Sequence, residues 1–377
     1  MARPKPLLPP RQPPRPIPES DTSVEFHEIQ NWLKEADPQR LERLWQEADA
    51  TRRRHVGEDV HLRGLIEFSN HCARSCAYCG LRAENHQLER YRMTAGEILE
   101  CAHQAVDFGY GTVVLQSGED YGMDAGWMAR VIARIKRETP LAVTLSLGER
   151  SEEELHMWRL AGADRYLLRF ETSSQILFQQ IHPPLSSDSP GRVELLRLLR
   201  DMGYETGSGV MVGIPGQTWN DLTHDLLLFR QLDLDMIGIG PFLPHPHTPL
   251  GARTVSLNNP ERVPNSEETV LKAVALTRLL CPKTNIPATT ALATVNRTKG
   301  RELALARGAN IVMPNLTPLR YRLLYEIYPG KACIQETATE CQKCLEARIR
   351  RIGRTIGIGR GDSPNLLERT VATGERP

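Results

Sequence analysis

From residue 62 onward the chain alternates short apolar runs with longer stretches of helical spacing, eight times over. The runs lie at 62–68, 112–115, 141–147, 165–170, 206–212, 236–239, 288–291 and 310–313. Each has the length of a strand. Between most of them apolar residues recur at three- and four-residue intervals, as on one face of a helix. Thr94 with Glu97, and Ser151 with Glu154, form capping boxes that open two of those helices. Strands separated by helices pair in parallel, with the helices as crossovers. Eight such units predict an α/β fold, a (β/α)8 TIM-type barrel, whose active site lies where the strands end. A doubly wound open sheet is the competing arrangement.

Polar residues fall where a barrel would use them. Three cysteines follow the first run, Ser117-Gly118-Glu119 the second, Glu149 the third and Glu171 the fourth. Gly213 to Gln217 follow the fifth, and Pro314-Asn315 the last. In a barrel all of these gather on one face.

The flanks read differently. Residues 1–20 are broken by Pro4, Pro6, Pro9, Pro10, Pro13, Pro14, Pro16 and Pro18, and so predict an extended, disordered tail. Residues 21–60 predict a helical extension, with Asp37-Pro38 opening its second helix. The barrel is expected over 61–330, a segment with a second cysteine group over 331–352, and a loose Gly- and Arg-rich tail over 353–377.

A net charge of +1 over 377 residues gives no general affinity for nucleic acid or membrane surfaces. No apolar run approaches the roughly 20 residues that a membrane-spanning helix needs. The proline-rich start lacks the apolar core of a signal peptide. Eight cysteines without such a signal are expected in a reducing compartment, where clustered thiols bind metal more often than they form disulfides. The expected location is the cytoplasm.

The cysteines of the first loop, Cys72, Cys76 and Cys79, have the spacing CxxxCxxC, with Tyr78 before the last. A [4Fe–4S] cluster has four irons, and four thiolates would saturate it. Three thiolates on one short loop leave one iron open. That iron can bind the amino and carboxylate groups of S-adenosylmethionine (SAM), and an electron from the cluster can then break a carbon–sulfur bond. A structural zinc loop is the competing reading, but it needs a fourth ligand, and none stands at a suitable spacing.

Cys333, Cys341 and Cys344 form a second group near the end of the chain. Three thiolates can hold a second cluster of the two-iron type, a [2Fe–2S] centre with a non-cysteine fourth ligand. Unmetallated thiols are the alternative. Cys101 and Cys281 fall on helical patterns and read as small buried hydrophobes.

Beyond the cysteine motif, a set of segments resembles the HydE family of [FeFe]-hydrogenase maturases, in the radical SAM superfamily. They are 79–82 (CGLR), 90–93 (RYRM), 115–120 (LQSGED), 144–149 (TLSLGE), 163–169 (ADRYLLR), 211–218 (MVGIPGQT), 238–242 (GIGPF), 286–290 (IPATT) and 328–331 (YPGK). The resemblance covers roughly 62–353 and touches every strand end. The family pattern often has His between the Arg and Glu of the fourth strand, where this chain has Phe170. Alternation places Phe170 on the opposite side of the strand from Arg169 and Glu171.

The resemblance implies roles. Cys72, Cys76 and Cys79 ligate the radical SAM cluster. Gln116, Ser117 and Glu119 meet the methionine end of SAM, Glu171 its ribose and Arg192 its carboxylate. Thr144, Arg165, Arg169, Thr289, Thr290 and Tyr328 match cavity-lining positions, with Arg169 also grouped among the SAM contacts. The competing reading of the threonines is that they only satisfy backbone at strand ends. The implied substrate is a small iron(II) carbonyl–cyanide–cysteine complex received from the maturase HydG, with a product passed toward the scaffold HydF and a reduced electron donor required. Two other readings remain: a mutase like methylornithine synthase, and a non-catalytic iron–sulfur carrier.

Overall fold

Alternate residues of a strand face opposite sides, and the first strand uses both. β1 (Asp59–Ser69) turns Leu65 and Glu67 toward the barrel axis and packs Ile66 and Phe68 outward. The computed structural model describes residues 19–184, 191–252 and 259–373. The tail expected over 1–20 lies outside them up to residue 18.

β2 (Thr112–Ser117), β3 (Ala142–Ser146), β4 (Arg165–Leu167), β5 (Glu205–Val212) and β6 (Met236–Pro241) follow in spatial order, each parallel to the one before. β7 (Ile311–Val312) pairs with the other edge of β1. An extended stretch at 285–288 closes the ring. It bridges Met236 to Asn285 and Pro287 to Ile311. Ile237 N–H donates to the Asn285 carbonyl at 3.0 Å, and Ala288 N–H to that of Ile311 at 2.9 Å. The expected (β/α)8 barrel is thus formed.

α1 (Glu19–Lys34) and α2 (Pro38–Val56) precede the barrel. The crossovers are α3 (Ala95–Asp107), α4 (Ala125–Glu138), α5 (Glu152–Leu160), α6 (Gln175–Ile181) with α7 (Arg192–Asp201), α8 (Trp219–Gln231), α9 (Glu267–Leu280), and α10 (Thr290–Val295) with α11 (Gly300–Leu305). α12 (Leu319–Arg322) and α13 (Ala338–Arg351) follow β7; the short β8 (Thr355–Ile356) and α14 (Pro364–Thr373) complete the described chain. Asp37 caps α2 as its Pro38 start predicts, and the capping boxes at Thr94 and Ser151 are present. α1 packs on α8 and α2 on α9.

Two expectations are corrected. The seventh strand position occupies 285–288, not 288–291. The reason is Thr289, whose hydroxyl accepts the Leu292 N–H at 3.4 Å and so starts a helix where strand was expected.

Residues 353–373 are not a loose tail. β8 pairs with the start of β1, and the loop behind it closes the bottom of the barrel. There Gly361 O accepts from Arg63 Nη2 at 2.9 Å and Asn285 Nδ2 at 3.1 Å. Arg360 O accepts from the Thr112 hydroxyl at 2.8 Å, and Ser363 N–H donates to Glu205 at 3.0 Å. Arg63, Thr112, Glu205 and Asn285, at the bottom of the barrel, each take a partner from this loop.

Candidate active site

The loop after β1 is pinned at both ends and in the middle. Asn70, fully buried, donates to the carbonyls of Glu89 and Leu324 at 2.8 Å and accepts the Tyr91 N–H at 2.7 Å. Arg90 reaches back to four loop carbonyls, those of Asn70, Leu81, Arg82 and Asn85. Ala73 N–H donates to Glu119 O at 3.0 Å, Ala77 N–H to Ile181 O at 2.8 Å and Gly80 N–H to Ile327 O at 3.0 Å. Gly118 allows the close approach of β2: a Cβ there would lie 2.3 Å from the His71 carbonyl and 2.8 Å from Cys72 Cβ.

Cys72, Cys76 and Cys79 face one cavity of about 340 Å³ at the C-terminal ends of the strands. Burial pushes the Cys76 thiol well above its usual pKa, and the charges of Cys79 and Cys72 push it further. Burial likewise raises Cys79, to about 12, with Cys72 adding to the effect. Three thiols on one loop, each with its pKa raised, become thiolates together most readily around a multivalent cation. The donor set therefore fits an iron–sulfur cluster.

His182, at the end of α6, is an unforeseen neighbour. Its Nδ1 lies 3.0 Å from Cys76 Sγ, and its Nε2 lies 2.8 Å from Arg192 Nη2. Burial lowers its pKa, against the pull of the Glu149 carboxylate 3.4 Å from Nε2. Arginine can only donate, so Nε2 accepts, and the ring proton on Nδ1 points at the sulfur.

Beside it lies a buried network of four charges. Arg192 donates through Nε to Glu149 at 2.8 Å, through Nη2 to Glu119 at 2.9 Å and through Nη1 to Arg169 O at 2.6 Å. Arg74 donates to Glu119 at 2.5 Å and also to Glu149. Tyr121 OH donates to Glu119 at 3.0 Å. Gly148, at φ 75°, makes room for Glu119, whose Cγ would lie 1.9 Å from a Cβ there.

Of the expected SAM contacts, Gln116, Ser117, Glu119, Arg169, Glu171 and Arg192 all line this cavity. Gln116 Nε2 donates to Tyr325 OH at 3.3 Å. Glu171 is buried at φ 61°. Its Oε2 is 3.1 Å from Arg169 Nη2 but accepts no aligned hydrogen bond, and Arg169 Nε is also buried without a partner. These unpartnered atoms fit a polar ligand in the cavity. Phe170 packs outward on Phe229, with ring centroids 5.5 Å apart.

The expected cavity residues divide. Thr289, Thr290 and Tyr328 line the cavity. The Thr289 hydroxyl is already engaged, since it donates to Ile239 O at 3.1 Å while capping α10. Thr144 and Arg165 do not line the cavity. Thr144 is fully buried, its hydroxyl without a partner. Arg165 lies at the closed end, paired with Glu205 and Asp362 and donating to Thr112 Oγ1 at 2.9 Å. Their inward side was legible from alternation, but their depth was not.

Glu67 adds a further polar group to the cavity. Glu67 stands inside an apolar strand. It is 1% exposed, pairs with Lys331 and accepts from Asn315 Nδ2 at 2.8 Å. Glu149 was visible as a polar strand end. Nothing in the sequence singled out Arg74 or His182.

Two cysteines of the second group are in contact. Cys341 hydrogen-bonds to Cys333, and this contact, with Arg301 close by, holds the Cys333 thiol well below its usual pKa. Arg301 Nη1 donates to Cys333 Sγ at 3.4 Å. Cys344 is exposed. Arg301 is 7% exposed, and among the described residues no carboxylate lies in salt-bridge range of it. A buried cation without a carboxylate partner beside Cys333 and Cys341 fits an anionic thiolate centre. Cys101 and Cys281 are buried, as expected.

Comparison with known proteins agrees with this geometry. Residues 66–229 match the Radical SAM superfamily. The [FeFe] hydrogenase maturase subunit HydE of Thermotoga maritima is 48% identical over 327 residues, covering 87% of this chain and 90% of that protein. The 3-methylornithine synthase of Methanosarcina barkeri is 32% identical over 284 residues, covering 74% and 75%. The crystal structure of a methylornithine synthase superposes with a TM-score of 0.73 at 26% identity, covering 88% of this chain and 94% of that one. Among the described residues no helix is long and apolar enough to cross a membrane. With a three-cysteine loop at the mouth of a parallel barrel and near-half identity along most of its length, the chain belongs to the HydE family of [FeFe]-hydrogenase maturases and is a radical SAM enzyme.

Proposed function

We propose that this chain acts on a small iron(II) carbonyl–cyanide–cysteine complex during assembly of the hydrogenase di-iron subcluster. In this reading a HydG-type maturase supplies the substrate, a HydF-type scaffold receives the product, and the work takes place in the cytoplasm with a reduced electron donor. The observation that supports it most is that the three-cysteine loop, Glu171 and Arg169 line one cavity at the C-terminal ends of the strands.

Cys72, Cys76 and Cys79 would hold the [4Fe–4S] cluster, which supplies the electron that cleaves SAM to a 5′-deoxyadenosyl radical. Glu171 would accept the ribose hydroxyls, for which a carboxylate has the lone pairs. Gln116, Ser117 and Glu119 would take the methionine end. Arg192 has its Nη2 committed to Glu119 and His182. Were Glu119 to take the ammonium group of SAM, an Arg192 N–H would be left for the SAM carboxylate, which a guanidinium binds well.

Deeper in, Arg169, Thr290 and Tyr328 would orient the iron complex, with Met211, Met236 and Met313 excluding water. Cys333, Cys341 and Cys344 would hold a second cluster, with Arg301 offsetting its charge.

The test is anaerobic reconstitution, reduction and addition of SAM. The expected result is an EPR signal that changes with SAM, formation of 5′-deoxyadenosine, and loss of both in Cys76→Ala. A protein that cleaves SAM yet fails to support hydrogenase maturation with the other maturases would sink the specific assignment.

A further inference from the structure

We propose that Asp225, on the outer helix α8, is a positioning residue that sets the loops after β4 and β5 at the height where the nucleoside of SAM is held. The inference rests on the reading of Glu171 as the ribose ligand.

Asp225 is completely buried, and no cationic side chain lies in salt-bridge range of it among the described residues. A buried carboxylate is costly unless its oxygens are hydrogen-bonded, and a helix that only needed to pack would use an apolar residue here. Its acceptors are spent on two loops. Oδ1 takes the Ser173 N–H at 2.5 Å, the Ser173 hydroxyl at 2.6 Å and the Thr172 hydroxyl at 3.3 Å. Oδ2 takes Gln217 Nε2 at 3.2 Å.

Gln217, also fully buried, extends the hold. Its Oε1 accepts the N–H of Gly213 at 2.7 Å and of Ile214 at 3.3 Å, and its Nε2 also donates to Met211 O at 3.1 Å. One carboxylate thereby couples both strand ends.

Glu171 needs such a hold. Its φ of 61° is in the left-handed region, which a non-glycine residue keeps only where its surroundings fix it. Two backbone bonds do part of this: Glu171 N–H to Gly209 O at 3.0 Å and Met211 N–H to Glu171 O at 3.1 Å. The next two residues, Thr172 and Ser173, are the ones that Asp225 grips. From there the chain enters α6, which ends at His182 beside Cys76.

Protonation would undo the arrangement. The Ser173 and Gln217 N–H groups can only donate, so a carboxylic O–H could be accepted only by the Thr172 or Ser173 hydroxyl, whose own proton would have to turn away. The groups facing Asp225 are Thr172 and Ser173 from the loop after β4, Gln217 from the loop after β5, and Asp221 one turn earlier on α8. Burial, against the Ser173 bonds and with the nearby Asp221 charge, raises its pKa to about 7. SAM affinity is then full above that pH and falls below it.

The experiment measures SAM binding to the unreduced, reconstituted protein by calorimetry between pH 6 and 8. The parent is expected to lose about tenfold in affinity from pH 8 to pH 6, the depletion of carboxylate one unit below the midpoint. Asp225→Asn should raise Kd about tenfold at pH 8 and flatten the profile, because an amide N–H then faces a donor. Ser173→Ala removes one hydrogen bond to the charged form, so it should move the midpoint to higher pH. A folded Asp225→Asn protein with the parental Kd and midpoint would overturn the inference and assign any pH dependence to a group other than Asp225. Should Asp225→Asn not fold, Ser173→Ala decides alone, and an unmoved or lowered midpoint rejects the inference. A parent that binds no SAM would overturn the Glu171 reading, and the inference with it.

Discussion

Glu119 and Glu149 each take two arginine donors, and Arg74 and Arg192 each reach both carboxylates. The Glu171 carboxylate is the exception, with its Oε2 not hydrogen-bonded. Glu171→Gln should therefore weaken SAM binding at least about tenfold, the worth of one charge-assisted hydrogen bond, as read by calorimetry. At the closed end of the barrel, Arg165 at the start of β4 and Glu205 at the start of β5 have side chains about 1% exposed and pair with one another. Removing one member of such a pair leaves a charge buried alone and costs about 3–5 kcal/mol. Arg165→Met should thus lower the thermal midpoint while leaving SAM affinity at the parental value. Arg165 and Arg169 share a strand face and so look alike in the sequence. They differ in depth, which the alternation of side chains does not encode.

At the scale of elements, caps and turns were more legible than strand ends. Thr94, Ser151 and Asp37 cap the helices they were expected to cap, because capping is decided within four residues. The apolar run at 288–291 was misread for the same kind of reason. Thr289 is a local helix start, and Pro287 lacks the N–H that a longer strand would need. The seventh position is held by bridges on both sides rather than by its own ladder. Thr289→Ala should cost about 1 kcal/mol in unfolding free energy through loss of the cap. It should leave any cavity ligand's affinity within about twofold, since the hydroxyl already serves Ile239 and Leu292.

At the scale of the molecule, the barrel is open at the strand ends and shut below by the segment after β8. Arg63, Arg165, Glu205 and Asn285 each take a partner from residues 360–363. Truncation after Ile356 should therefore lower the urea midpoint of the whole barrel and not merely shorten its tail. An unchanged midpoint would mean that water replaces those partners at no cost.

The sequence by itself determined the alternation of strands and helices, the faces of the strands, the helix caps, and the two cysteine groups. All of these are written in spacings of a few residues. Only the tertiary structure decided which inward residues reach the cavity and that the final segment is a floor. It alone placed Arg74, His182 and Asp225, which lie on a loop, a helix end and an outer helix far apart in the chain. Their roles depend on distances across the barrel, and no local pattern carries that information.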